Sequence, residues 1–373
     1  MMKLFKKTAL LLILLSVLAY PSRAEDPKPL AIGSQAPDFN LKGVDGKTYT
    51  LDSFKEAKLL VIVFTCNHCP TAQAYEDRVI AFTADYQPKG VQVVAISPNS
   101  DAAIRLDELG YTDLSDSFEE MKIRYRDKGY NFPYLYDGET QAASAQYGPA
   151  TTPHTFVFDE QRTLRYVGRI DDDEHIGRAK TSDLKNAVDE LLAGKAVTTP
   201  TTRTFGCSVK WKSKTDWKNH EVEEWEKEPV ALEEANLDTL KSLLQNGTEK
   251  YRLINFWATW CGPCVAEFSA LVETDKMYRN RDFEFITVSL DAKKSADKAA
   301  AFLRQKNASN RNLIVGDENK YDLIEAVDAE WQGALPYTVL VSPTGEIVYR
   351  QMGIIEPLAL RKAIVERIGR YYP

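Results

Sequence analysis

Four of the five cysteines in this 373-residue chain form two C-x-x-C pairs, Cys66/Cys69 and Cys261/Cys264, and the fifth, Cys207, stands alone between them. A staple gains by closing a long loop in the unfolded chain, and a C-x-x-C bridge closes almost none, so a structural role explains the pairs poorly. Redox exchange and metal binding remain. A cysteine at a helix N-terminus faces unpaired N–H groups and the positive end of the dipole. Thiols so placed ionise at pKa ~3.5–7.5 instead of ~8.5. Cys66 and Cys261 are therefore the expected attacking thiolates, and Cys69 and Cys264 the thiols that resolve a mixed disulfide. A cationic His68 near Cys66 would favour the thiolate and with it the reduced state, making the first pair the more oxidising. As ligands, Cys66, His68 and Cys69 suit Cu(I) or Zn. Three donors within four residues wrap a tetrahedral ion badly, though His154 can approach in space. Cys207 reads first as a small buried hydrophobe, with a third redox thiol or an intermolecular bridge as alternatives.

These side chains need strands and helices to aim them. Leu59 to Thr65 is uncharged and β-branched, as in a strand buried on both faces. A helix from Pro70 to Tyr86 follows, with Pro70 suited to its first turn. Val91 to Ser97 is a second strand, Pro98 to Asn131 a polar helical excursion, and Thr155–Phe158 with Leu164–Val167 a hairpin. An amphipathic helix, Ser182 to Leu192, ends at Gly194. Residues 195–228 form a connector of different composition, whose Trp211, Trp217 and Trp225 can dock it on a neighbour. From 229 to 373 the alternation repeats: helix 237–244, strand 251–258, the second C-x-x-C at a helix mouth, strand 283–290, helix 296–305, strand 312–315, a hairpin of 337–341 with 346–350, and a closing helix 357–368. This predicts two α/β sandwich domains in tandem, 31–194 and 229–373, each with a mostly parallel sheet core. Each domain carries C-x-x-C after a buried strand and, later, a Pro with a Thr two residues on: Pro153/Thr155 and Pro336/Thr338. The repetition is a duplicated plan.

Residues 1–24 read as an export signal: Lys3, Lys6 and Lys7, an apolar stretch from Thr8 to Ala19, then Ser22 and Ala24 as a cleavage site. The stretch is shorter than the ~20 residues that span a bilayer; a retained anchor is the alternative. The expected location is periplasmic or secreted, soluble after cleavage. The net charge of −7 becomes more negative once the signal's basic residues are gone, which argues against a nucleic-acid partner. The acidic run Asp171–Glu174 lacks the glycine turn of a calcium loop and reads as solvated.

Trp260-Cys261-Gly262-Pro263-Cys264, with Asn255-Phe256-Trp257-Ala258-Thr259 before it and Val265-Ala266-Glu267-Phe268 after it, resembles the TlpA/ResA-type exported thioredoxins. The resemblance implies a thioredoxin-like fold and a thiol-disulfide oxidoreductase. It makes Leu335-Pro336 a cis-proline loop that hydrogen-bonds a partner chain and sets Trp260 beside the site. Glu267, one helical turn beyond Cys264, is the proton carrier for that thiol, where other thioredoxins place a buried Asp at the Asn255 position. Ser269 departs from a helix-kinking Pro. Gly33-Ser34-Gln35-Ala36-Pro37-Asp38-Phe39 and Phe64-Thr65-Cys66-Asn67-His68-Cys69-Pro70 resemble the thioredoxin-like branch of the AhpC/TSA redoxins, with Thr152-Pro153 as the matching cis-proline pair. Peroxidase chemistry is disfavoured, because Leu59 and Val63 stand where peroxidatic relatives carry Pro and Thr. No bound cofactor is implied, since the cysteines carry the electrons. The implied partners are client proteins bearing disulfides or thiols and a membrane thiol-transfer reductant.

Overall fold

The computed structural model describes residues 26–316 and 318–370; the expected export signal lies outside them. The first domain is built on β1 (Asn40–Gly43), β2 (Thr48–Thr50), β3 (Leu59–Phe64), α1 (Pro70–Tyr86), β4 (Val91–Ser97), α2 (Phe118–Lys128), β5 (Tyr134–Tyr136), α3 (Ala142–Tyr147), β6 (Thr151–Thr152), β7 (His154–Phe158), β8 (Leu164–Gly168) and α4 (Asp183–Leu192). Its sheet order is β2-β1-β5-β4-β3-β7-β8. Strands β3, β4 and β5 are parallel, and β7 and β8 antiparallel. Alternate β3 residues feed two cores. Leu59, Val61 and Val63 pack under α1 and α4, and Leu60, Ile62 and Phe64 against Phe156, Phe158 and Tyr147. Apolar residues at every position are what a central strand of a three-layer sandwich requires.

The connector bears β9 (Cys207–Ser208) and α5 (Thr215–Glu226). The second domain follows with β10 (Glu233–Glu234), α6 (Leu237–Gln245), β11 (Tyr251–Trp257), α7 (Gly262–Tyr278), β12 (Phe283–Ser289), α8 (Ala296–Gln305), β13 (Arg311–Ile314), α9 (Lys320–Val327), β14 (Tyr337–Val341), β15 (Ile347–Met352) and α10 (Pro357–Ile368). Its sheet runs β10-β13-β12-β11-β14-β15, parallel up to β11 and antiparallel beyond. Both domains are thus mixed α/β with a thioredoxin-like arrangement, each presenting C-x-x-C at the C-terminal end of a central strand.

Residues 98–131 differ from the expected helical excursion. Only α2 is a regular helix, and the preceding stretch docks the two domains together. Ile104 and Leu109 are buried among Leu271, Met277, Tyr278 and Phe283. Tyr278 Oη donates to the Thr112 carbonyl at 2.6 Å, Arg281 to the Gly110 carbonyl at 2.6 Å, and Arg370 pairs with Asp113 at 2.5 Å. The first part of the connector belongs with the first domain: Val167 N–H bonds Pro200 O, Lys210 N–H bonds Asn99 Oδ1, and Val209 and Trp211 are buried. Trp225 sits under the Lys276 ammonium, whereas Trp217 is exposed.

The acidic run is not a free solvated loop. Asp171 is buried, accepting from Tyr75 Oη at 2.5 Å and Arg78 Nη1 at 2.8 Å, and Glu174 accepts from Thr71 Oγ1 at 2.6 Å. It ties the β8–α4 loop to the first turns of α1.

Candidate active site

The second C-x-x-C follows from the end of β11. Cys261 is the N-cap of α7, its sulfur accepting from Cys264 N–H at 3.3 Å, and a disulfide joins the two. Cys264 is fully buried and Cys261 nearly so, while Trp260 stands 67% exposed beside them. Leu335 packs on the cysteine cluster, and the Leu335–Pro336 bond is cis. Pro336 O accepts from Gly353 N–H at 2.9 Å, which ties this loop to the turn after β15. Helix α7 runs without interruption past Ser269.

Glu267 is buried, not a solvated helix carboxylate. Its Oε2 accepts from Ile355 N–H at 2.7 Å and its Oε1 from the Asn255 amide at 3.1 Å; Asn255 also donates to Thr338 Oγ1 at 2.9 Å. Burial pushes its pKa up to about 7, against the pull of those two donors. A carboxyl poised near neutrality, one turn from the inner sulfur, can hold or release the proton that a leaving thiolate takes.

The first pair is built differently. Here Cys69, not Cys66, is the N-cap, with its sulfur accepting from Ala72 N–H at 3.4 Å, and Pro70 opens α1. The cause is Asp116. Its Oδ1 takes the N–H groups of both Asn67 (2.8 Å) and His68 (3.0 Å), holding those residues out of the helix. Its Oδ2 takes the Asn99 amide (2.7 Å) and pairs with His68 Nδ1 (2.7 Å). His68 and Asp116 are both buried. Burial works against the imidazolium, but the carboxylate beside it wins and raises the His68 pKa. Burial also opposes the Asp116 charge, and the His68 cation and its hydrogen bonds hold that pKa below the usual range.

The charge pattern differs from the expectation that His68 primes Cys66. Burial, a bond to Cys69 and the charge of Asp116 all push the Cys66 thiol well up. At Cys69 burial is outweighed by the Cys207 and Cys66 thiols, the His68 cation and the helix-start N–H, and the pKa falls well below normal. The His68 cation thus acts on Cys69, the helix cap, and is not among the influences on Cys66. Thr152 touches both sulfurs: Oγ1 lies 3.2 Å from Cys66 Sγ, and its carbonyl takes the Cys69 thiol at 3.2 Å. The Thr152–Pro153 bond is cis, matching the second site.

Cys66, His68 and Asp116 bring one potential metal-ligand atom each within 4.8 Å of one another, and His68 Nε2 is buried with no partner. The set differs from the Cys66, His68 and Cys69 considered from sequence. Asp116 already accepts four hydrogen bonds and His68 Nδ1 is spent on it, so the cluster is furnished as an ion pair. His154 turns its Nδ1 to Ala150 N–H at 3.1 Å, and burial lowers its pKa to about 4. Asp116 carries no local sequence signal, lying 48 residues from His68.

With both sites laid out, comparison with known proteins adds the following. Residues 32–167 match the model of the AhpC/TSA family and residues 227–363 that of Redoxin. The chain is 25% identical over 170 residues to the thiol-disulfide oxidoreductase ResA of Geobacillus thermodenitrificans, covering 44% of this chain and 86% of that one. The Bacillus subtilis protein of the same name is matched over about half of its length, 49%, at 28% identity and 26% of this chain. A hypothetical protein of Sinorhizobium meliloti of known structure is 34% identical, with a TM-score of 0.44, covering 50% of this chain and 98% of that one.

Proposed function

We propose, for a chain that belongs through both its halves to the thioredoxin-like redoxins, AhpC/TSA-type first and Redoxin-type second, an exported thiol-disulfide oxidoreductase that exchanges electrons with protein disulfides at two C-x-x-C sites. The relatives named thiol-disulfide oxidoreductase or thiol:disulfide interchange protein support the general activity. The observation that carries the reading is the second site: a Cys261–Cys264 bridge at the cap of α7, flanked by exposed Trp260 and backed by buried Glu267.

In this reading one thiolate of a client dithiol attacks Cys261, the more exposed of the two, and Cys264 leaves with a proton from Glu267; the client's second thiolate then attacks its own sulfur in the mixed disulfide, closing the client disulfide and releasing Cys261. The reverse sequence reduces a client disulfide. In an oxidising compartment a membrane thiol-transfer protein resupplies electrons. No cofactor is required, because each step moves electrons only between sulfurs. Insulin reduction by the full chain, by Cys66→Ser/Cys69→Ser and by Cys261→Ser/Cys264→Ser tests it. Loss of turnover in the second double variant is expected; turnover unchanged in both variants overturns the reading.

A further inference from the structure

The first site contains three sulfurs. Strand β9 lies antiparallel on β6, with Cys207 opposite Thr152, the residue that touches both other cysteines. Cys207 N–H points at Cys69 Sγ from 3.4 Å, and the Cys207 side chain packs on the cluster of Cys66, Cys69 and Ala72. The approach is close enough to dictate sequence. Gly206 has φ +129°, and a Cβ there would lie 2.2 Å from the Thr152 carbonyl oxygen. Cys66 and Cys69 are 2% and 0% exposed, while Cys207 keeps partial access to solvent. The connector thus covers the first pair with a peptide strand, the pairing an extended client makes with a free edge. Among the described residues no strand pairs with the corresponding Leu335 of the second site.

We propose that Cys207 is a third redox thiol of the first site and exchanges with the pair as a built-in client. The Cys207 thiolate attacks Cys69 Sγ of a Cys66–Cys69 disulfide. The Cys69–Cys207 bond forms, the Cys66–Cys69 bond breaks, and Cys66 leaves with the electron pair and takes up the proton Cys207 gave. The set holds one disulfide and one thiol before and after, so no oxidant is consumed. The first disulfide comes from exchange with a protein disulfide, so the inference rests on the proposed function. Its consequence is a choice of free thiol: Cys207 in one isomer, Cys66 in the other.

Disulfide mapping of the full chain tests this, in a Cys261→Ser/Cys264→Ser background so that only the three sulfurs report. Wild-type, Cys66→Ser, Cys66→Ala and Cys207→Ser forms are equilibrated with glutathione over a range of ratios, alkylated and digested without reduction. The expected result is a Cys69–Cys207 linked peptide from most chains of both Cys66 variants, and both linked pairs from wild type. The inference is overturned if Cys69 and Cys207 stay separately alkylated or glutathione-capped in both Cys66 variants, at a ratio where Cys207→Ser forms Cys66–Cys69. If Cys66–Cys69 forms at no ratio in Cys207→Ser, exchange at the first site falls as well, and the inference with it.

Discussion

Replacing Glu267 with Gln removes a buried ionisation while keeping the shape of the side chain. The new amide can accept from Ile355 N–H with its oxygen. Its nitrogen needs an acceptor, and Asn255 Oδ1, buried without a partner, supplies one once the Asn255 amide turns over. The wild-type carboxyl has its pKa raised from 4.5 to about 7 by burial. A shift of that size favours the protonated form by at most about 3 kcal/mol, less where water reaches the group. The folded-state pKa lies above the unfolded one, so this stability is fully present below the unfolded pKa and is lost as pH rises through about 7. The chemical consequence follows the same titration. At pH 6 about nine-tenths of the carboxyl holds its proton, and at pH 8 about one-tenth. Reduction of Cys261–Cys264 by a small dithiol, followed by stopped flow from pH 5.5 to 8.5, is expected to fall about a hundredfold or more in Glu267→Gln on the acidic side, the range of a lost general acid. Carbon-13 carboxyl NMR supplies the direct titration. A rate profile superimposable on wild type, or a Glu267 midpoint near that of an ordinary glutamate, would refute the reasoning.

Asp116→Asn leaves His68 buried without its counter-ion and is expected to destabilise the first domain by about 3–5 kcal/mol, measured by urea unfolding; a loss below about 1 kcal/mol contradicts the ion-pair account. Gly206→Ala drives a methyl into the Thr152 carbonyl and should lift the connector from the first site, raising Cys66 alkylation about tenfold with little change at Cys261 after its reduction. Because the Cys207 and Cys66 thiols, then the His68 cation and the helix-start N–H, pull the Cys69 pKa down against burial, the first pair should be the more oxidising. Glutathione titration of the full chain, with one pair at a time changed to Ser, should separate them by at least about 30 mV, a tenfold difference in equilibrium constant; the reverse order contradicts it.

The sequence is most legible where one pattern has one physical meaning. An uninterrupted apolar run that is short and rich in β-branched residues, such as Leu59–Phe64, fits a strand covered on both faces, and Pro357 marks the first turn of the closing helix. Glu267 follows from i, i+3 spacing, although its burial does not. The first site is less legible. Pro70 sits directly after Cys69, and a proline at the first helical position assigns the cap to Cys69, whereas the helix-dipole argument alone does not distinguish it from Cys66. Asp116 acts by receiving backbone N–H groups from a distant turn, a role that leaves no periodicity. Strand β9 is two residues long, too short to show alternation, and its register is set by Gly206 and Thr152 together. Ile104 and Leu109 are isolated apolar residues in a polar stretch, and only the surface of the other domain reveals what they are for.

That docking segment bears on how the halves can be separated. With Ile104 and Leu109 seated among α7 and α10 side chains and Tyr278 anchored to Thr112, a cut anywhere in the connector would strand greasy surface on both fragments. A gene split there would yield two sticky proteins in place of two independent ones, which favours keeping the duplicated units fused.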